Sequence, residues 1–517
     1  MSYLNRFALL GLTLASSLAL GLDTTAMAAP TKVVISAKKV AKPAAMQAEK
    51  APLTKQVELV ESFREKAPKL PAPTRFVLPA TTTKKLANGM EILFVEDHRF
   101  PYVSLNLGFK TGSVDEPKQK TGLADMTADL LTEGAANLTS KQLAERIEFI
   151  GGGIKADCDY DYTVVSASAL SSYGDTLLDL MSKVVLEPSF PQDELALKKS
   201  NLIQALAIKR GEPEFLAEER FANIVYGNGN PYAVVAPTEN SIDKIERNDL
   251  IAYHQSHYVP NKAVLVVVGD FKTDEMLKDI ESKFGAWKPA ELAEAVVPDA
   301  PKQTGKHIYL VDRPGSVQTS FKVGNIGIKR NSPDYFPMLV ANQILGGSAN
   351  ARLFLNIREA KGFTYGAYSR LAPKKQSGAF YAQANVRTDV TNPSLLEFLY
   401  ETEKLRTTRP KNEEVDIARN YLAGSFQLGL ETQGGLAQRL LEVKLFDLPA
   451  DYIETYADKV MAVTPEEVRK ASAKLIDSSN IVICAVGDGK KIKEDLEMFA
   501  PVTVFDAEGS LKSGAVR

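Results

Sequence analysis

Apolar and polar positions along this chain follow a helical period in some stretches and a strand period in others, and the same succession occurs twice. Ile245 to Asp270 reads IERNDLIAYHQSHYVPNKAVLVVVGD, and Val463 to Asp488 reads VTPEEVRKASAKLIDSSNIVICAVGD; the two align without a gap at an offset of 218 residues. Each predicts a capped amphipathic helix, a turn, an apolar β-run and a terminal Gly-Asp. Upstream, GLADMTADLLTEG (122–134) matches YFPMLVANQILGG (335–347) in helical pattern at a similar offset. A period this long is a duplicated domain and not a solenoid. Two tandem homologous α/β domains are therefore expected at 76–290 and 303–510. The Pro- and Ala-rich stretch KPAELAEAVVPDAPKQTG joins them. Asn88-Gly89 marks a hairpin turn between Thr83–Leu86 and Met90–Val95. Hairpins interspersed with helices predict an α+β fold, each domain an antiparallel-rich sheet packed by helices.

The first residues do not belong to this pattern. Arg6 precedes a sixteen-residue uncharged, largely apolar run, Phe7 to Leu22, and Ala26-Met27-Ala28 follows as a small-x-small cleavage pattern. The run is shorter than the roughly 20 residues a spanning helix needs, so residues 1–28 read as a signal peptide removed near Ala28. No Cys follows the run to carry a lipid. The expectation is a soluble periplasmic protein without stable membrane insertion. Residues 29–75, rich in Ala, Lys and Pro, read as a flexible segment with one short helix around Val57 to Lys66.

Composition narrows the field further. At 44% hydrophobic and 24% charged residues, with a formal net charge of −2, the chain has no bulk attraction for nucleic acid. Its two cysteines, Cys158 and Cys484, fall in different halves. Cys484 sits in an apolar run that suits a buried free thiol. Neither a disulfide framework nor a cysteine metal site is expected.

Candidate chemistry lies in a series of short motifs. Gly112-Ser113-Val114-Asp115-Glu116-Pro117 and Thr121-Gly122-Leu123-Ala124 come first. Gly151-Gly152 then precedes a strand expected from Ala156 to Ala169. Asn230-Pro231-Tyr232, Tyr258-Val259-Pro260-Asn261 and Gly269-Asp270 follow. The second half has Leu345-Gly346-Gly347, Arg352-Leu353-Phe354 and Arg358 through Tyr365. Their order and spacing resemble the pitrilysin/insulinase family of zinc metallopeptidases, in its short two-domain branch related to mitochondrial processing peptidase. The resemblance covers about 80 to 490.

Active members carry H-x-x-E-H directly after Gly-Leu-Ala. Histidines at i and i+4 share a helix face and bind zinc, and the Glu between them serves as general base. Here the positions are Asp125-Met126-Thr127-Ala128-Asp129. Aspartates replace both histidines, and Ala128 replaces the base. Aligning Phe190-Pro191 with the family's Phe-Pro puts Lys198 at the third ligand position. Two aspartates suit a hard cation such as magnesium or calcium; the other reading is solvated or salt-bridged carboxylates. No zinc is expected in this chain. His254 and His257, at i and i+3, could share a metal, or stand at a helix end whose dipole favours imidazolium. His98 and His307 are isolated in the sequence.

The second half keeps more of the pattern. Ala351 to Ala360 predicts a helix with Leu353, Ile357 and Ala360 buried and Gly362 as its C-cap, leaving Arg358 off the buried stripe. Tyr365 follows seven residues on, at the start of a strand. A guanidinium and a phenol hydroxyl are both donors, suited to negative charge developing on a tetrahedral centre. The other reading is a surface Arg and a Tyr packed at a strand start. The resemblance implies that Arg358 and Tyr365 act in trans, on substrate held at another subunit's zinc. Gly346-Gly347 predicts a loop free to adopt positive φ and to let another backbone approach. In the family this loop lies near the mouth of the substrate chamber. The strand after Gly151-Gly152 is the family's peptide-binding edge, with Lys155 here where Asn is usual.

Together these imply the zinc-less subunit of a heterodimeric peptidase, whose homologous partner bears H-x-x-E-H and whose substrates are peptides or unfolded segments. The alternative is a catalytically inert scaffold or peptide-binding protein of the same fold.

Overall fold

The computed structural model describes residues 76–292 and 294–512; the expected leader, the Ala/Lys/Pro-rich segment and the helix at Val57 to Lys66 lie outside them. The strands are β1 (Thr81–Lys85), β2 (Glu91–Glu96), β3 (Tyr102–Phe109), β4 (Gly134–Ala135), β5 (Leu138–Thr139), β6 (Gly153–Cys158), β7 (Thr163–Leu170) and β8 (Ala263–Gly269). After them come β9 (His307–Asp312), β10 (Gln318–Ile326), β11 (Thr364–Ala372), β12 (Ala379–Arg387), β13 (Val482–Gly487) and β14 (Val502–Phe505). They form two six-stranded mixed sheets, ordered β1-β2-β8-β3-β7-β6 and β11-β12-β10-β13-β9-β14, and a small ribbon of β4 and β5.

The duplication appears in the topology. Read from the inside outward, β2-β8-β3-β7-β6 has its counterpart in β9-β13-β10-β12-β11. In both, the first pair is parallel and the rest are antiparallel. Only the sixth strand differs: β1 adds to β2 antiparallel, and β14 adds to β9 parallel. The aligned repeat segments become helix Arg247–His257 with β8 and helix Pro465–Leu475 with β13. The second of these helices begins with a Thr464/Glu467 capping box, two orphan amides satisfied reciprocally.

Strands β8 and β13 are buried at every position, which explains why both read as unbroken apolar runs without alternation. Each is covered on both faces, and the outer cover comes from the other domain. Helix Gln433–Leu445 lays Leu436, Leu440 and Leu441 on Val264, Val266 and Val268 of the first sheet. In exchange, helix Pro213–Tyr226 lays Phe221, Ala222 and Val225 on Val482 and Cys484 of the second. Polar ties fix the exchange: Gln433 donates to the Asp97 carbonyl at 2.8 Å and Lys444 pairs with Glu91. Cys484 is buried, Cys158 half-buried, and both are free thiols. Among the described residues no helix is long and apolar enough to cross a membrane.

The strand expected from Ala156 to Ala169 is two strands. The chain turns back through Asp159–Tyr162, where the Asp159 amide donates to the Tyr162 carbonyl at 2.8 Å, so β6 and β7 form a hairpin. Polar and aromatic residues at the turn (Asp159, Tyr160, Asp161) broke an otherwise continuous β pattern.

Candidate functional site

Helix Leu123–Leu130 carries the degenerate motif. Glu116 anchors its entry, accepting from the amides of Gly122 (3.0 and 3.1 Å) and Ala124 (3.1 Å). Burial pushes the Glu116 carboxyl up to about 7 against the pull of those amides, and the nearby charge of Asp125 adds to the rise. Ala128 is buried in the packed face of the helix. Asp129, one turn beyond Asp125, forms an ion pair with Lys198 of helix Gln192–Arg210. That second helix is aimed by its entry: Phe190 is buried with φ 44°, and Arg247 grips its carbonyl at 2.7 Å and that of Ser189 at 2.8 Å. A left-handed aromatic residue costs about 1–3 kcal/mol, so the surroundings must hold it there.

This donor set does not fit zinc. A tetrahedral site needs neutral imidazoles or anionic donors converging on the ion; here an ammonium sits on one of the two carboxylates, and the position between them is a methyl group. Among the described residues no group of three or more His, Cys, Asp or Glu side chains is placed to hold a metal ion.

The other histidines are engaged separately. His254 Nε2 lies 2.8 Å from the Val185 carbonyl and its ring packs edge-on to Phe190. His257 stacks on Tyr253 at 4.0 Å. The helix-end imidazolium expected from the dipole is corrected here: burial holds both rings below the usual histidine range, and a dipole worth under about 2 kcal/mol does not offset that desolvation. His98 is not isolated in the fold, pairing with Asp270 at 2.6 Å, and His307 meets Thr503 Oγ1 at 2.7 Å.

In the second domain the segment Phe354–Ala360 is a π-helix. Leu353 and Ile357 are buried as the apolar period predicts, but Ala360 is exposed. A turn closed i→i+5 advances less around the axis per residue than an α-helix and carries Ala360 off the buried side. The segment ends where Gly362 takes φ 63°, its amide donating to the Arg358 carbonyl (2.9 Å), and the Phe363 amide to that of Ile357 (3.0 Å). Arg358 stands on the exposed side, paired with its neighbour Glu359 and lying 4.9 Å over the Phe354 ring. Phe354 in turn meets Tyr368 of β11 at 5.6 Å. Tyr365 lies in an irregularity of β11 between Thr364 and Ala367 and is 91% exposed. It is not the packed strand-start tyrosine that the alternative reading required.

Sequence reasoning did not find the supports of this segment. Arg352 grips the Glu414 carboxylate at 2.7 and 3.0 Å. Asn356 Nδ2 donates to Glu397 (2.8 Å) and Glu401 (3.0 Å), and Lys361 reaches Glu397 at 2.5 Å. These partners lie some forty to sixty residues apart in sequence, and no local motif connects them.

Gly346 and Gly347 are not a loop of positive φ. Gly346 ends helix Tyr335–Gly346, and Gly347 follows in right-handed geometry with φ −74°. What they provide is close approach: a Cβ on Gly346 would stand 2.3 Å from the Ser369 amide nitrogen of β11, and one on Gly347 2.3 Å from Gln343 Oε1. Lys155, on edge strand β6, is paired with Asp157 at 3.0 Å. Strands β6 and β11 hold equivalent edges of the two sheets, so the peptide-edge candidate and Tyr365 occupy matching places in the repeat.

Comparison with known proteins agrees with this architecture. Residues 91–237 match the insulinase family, peptidase family M16, and residues 244–422 match the peptidase M16 inactive domain. Between them these take in more than half of the chain, which belongs to the M16 family. A crystal structure of a peptidase M16 inactive domain from Pseudomonas fluorescens is similar with a TM-score of 0.73 and 28% identity, covering 79% of this chain and 98% of that one. Two curated bacterial relatives differ in what their names claim. An uncharacterized zinc protease, YmxG, of Bacillus subtilis is 24% identical over 68% of this chain and 85% of its own length. A non-peptidase homolog, YmxG, of Helicobacter pylori is 23% identical over 78% of this chain and 93% of its own.

Proposed function

We propose that this chain is the zinc-less subunit of a two-subunit periplasmic M16 peptidase, of the short branch related to mitochondrial processing peptidase. A homologous partner bearing H-x-x-E-H supplies zinc, base and third ligand. This chain contributes Arg358 and Tyr365 to peptides or unfolded segments held there, donating to the negative charge that develops on the peptide carbonyl oxygen. One observation carries the reading: Tyr365 stands almost fully exposed at the irregularity of β11, seven residues beyond an Arg held on an aromatic ring. Packing gives no reason for the exposure of Tyr365. The Asp129–Lys198 pair supports the other half of the reading, since it occupies positions where an active member holds its metal.

The test is to purify the chain with its partner and follow cleavage of a quenched fluorescent peptide. Tyr365→Phe removes one donor and should lower kcat by about 100- to 1000-fold, because the charge exists only in the transition state. Partner binding and the partner's metal content should not change. Full turnover from both Tyr365→Phe and Arg358→Ala, in complexes shown to be intact, would establish the inert scaffold instead, the reading the Helicobacter relative's name favours.

A further inference from the structure

One carboxylate, that of Glu397 on helix Thr391–Thr407, holds two side chains of the segment that carries Arg358: Asn356 at 2.8 Å and Lys361 at 2.5 Å. These two positions are five residues apart. In an α-helix, residues five apart lie about 140° from each other around the axis; a turn closed i→i+5 brings them to one side. The π-winding of Phe354–Ala360 thus favours the double grip of Glu397, beside which Glu401 also accepts from Asn356 at 3.0 Å. Arg352, bound through two nitrogens to Glu414 of helix Asn412–Leu428, fixes the segment's other end. Arg352 and Asn356 are half-buried, whereas Leu355, Arg358 and Glu359 are exposed, as is Lys361 at the end of the segment.

The consequence concerns register. Thr364 and Ala367, on either side of Tyr365, are placed by the β11–β12 ladder, and Gly362 by its left-handed turn. Rewinding Phe354–Ala360 as an ordinary α-helix would change by one residue how the segment meets that turn. Arg358 would swing relative to Tyr365. Building on the proposed role of Arg358, we infer that Glu397 is a positioning residue: it touches no substrate, but through Asn356 and Lys361 it locks the π-turn that sets Arg358 against Tyr365.

Two measurements on the full chain separate this inference from the role of Arg358. The first needs no partner. In Glu397→Ala, the amides of Gly362 and Phe363, whose bonds close the segment, should exchange with solvent at least ~10-fold faster than in the wild type, as expected of a locally loosened turn. Unchanged exchange at both amides overturns the lock. The second uses the complex and the quenched peptide. Glu397→Lys should lower kcat by ~10- to 100-fold, the scale of a misplaced catalytic group, with KM nearly unchanged. The double variant Glu397→Lys/Lys361→Glu should recover most of the loss, because the charges trade places and the Asn356 amide can turn to donate or accept. Glu466→Gln, which breaks an exposed pair with Arg469 elsewhere, should keep wild-type kinetics. Faster exchange with no loss of kcat, where Arg358→Ala does lose it, overturns the positioning role alone. Full activity in Arg358→Ala overturns the role of Arg358 and with it the positioning role, leaving the exchange result to decide the lock.

Discussion

A carboxylate that already holds an ammonium offers little to a second cation, and Asp129 is in that position. Its pairing with Lys198 is made by the fold between distant parts of the chain, as are those of other polar side chains. His254 and His257 show the cost of placing such side chains inside. Burial lowers both pKa values, so the folded protein keeps them neutral where the unfolded chain, near 6.5, begins to protonate. The stability they contribute is present above about pH 6.5 and is lost as pH falls toward their folded values. Glu116 acts in the opposite sense, its raised pKa favouring the fold as pH drops from 7 toward the ordinary carboxylate range. A His254→Phe variant should therefore lose less stability than wild type between pH 7.5 and 5.5, read as the shift in urea midpoint. An equal shift in both would mean the ring is not held neutral. The aspartates and Ala128 were legible in the sequence because a metal motif is a local spacing. The state of His254 was not, because it depends on Val185 and Phe190, more than sixty residues away.

Elements were legible where period and capping agreed. The Thr464 box, the Asn88-Gly89 hairpin and the all-apolar runs of β8 and β13 follow from sequence because short-range chemistry determines them. Two elements misled. The Arg358 helix changed its winding because of side chains on two other helices, and Gly346-Gly347 suggested freedom where the fold needed proximity. The second correction has a measurable consequence. Gly346→Ala would press a methyl group onto the β11 backbone, an overpacking that costs about 1–3 kcal/mol. The urea midpoint should fall accordingly. A variant as stable as wild type would show that helix Tyr335–Gly346 can move away from β11 freely.

At the scale of the whole molecule, the gapless repeat made the duplication readable, but not the exchange of helices between the halves. Helices Pro213–Tyr226 and Gln433–Leu445 look in sequence like any others in their own domain; only the topology shows that each covers the opposite sheet. A cut by a protease within residues 294–306, a largely exposed stretch, should therefore leave both pieces together, eluting from a sizing column as the uncut chain does. Separation of the pieces without denaturant would mean the mutual covers contribute little. The same exchange limits how the molecule moves. Two bodies joined by a simple tether can swing apart like a jaw, but here the swing would drag Leu440 and Leu441 off one sheet and Phe221 off the other. Each Å² of apolar surface so bared costs about 25 cal/mol, so both covers oppose that swing. The two sheets are thereby clasped to each other from both sides, each half carrying the lid of the other.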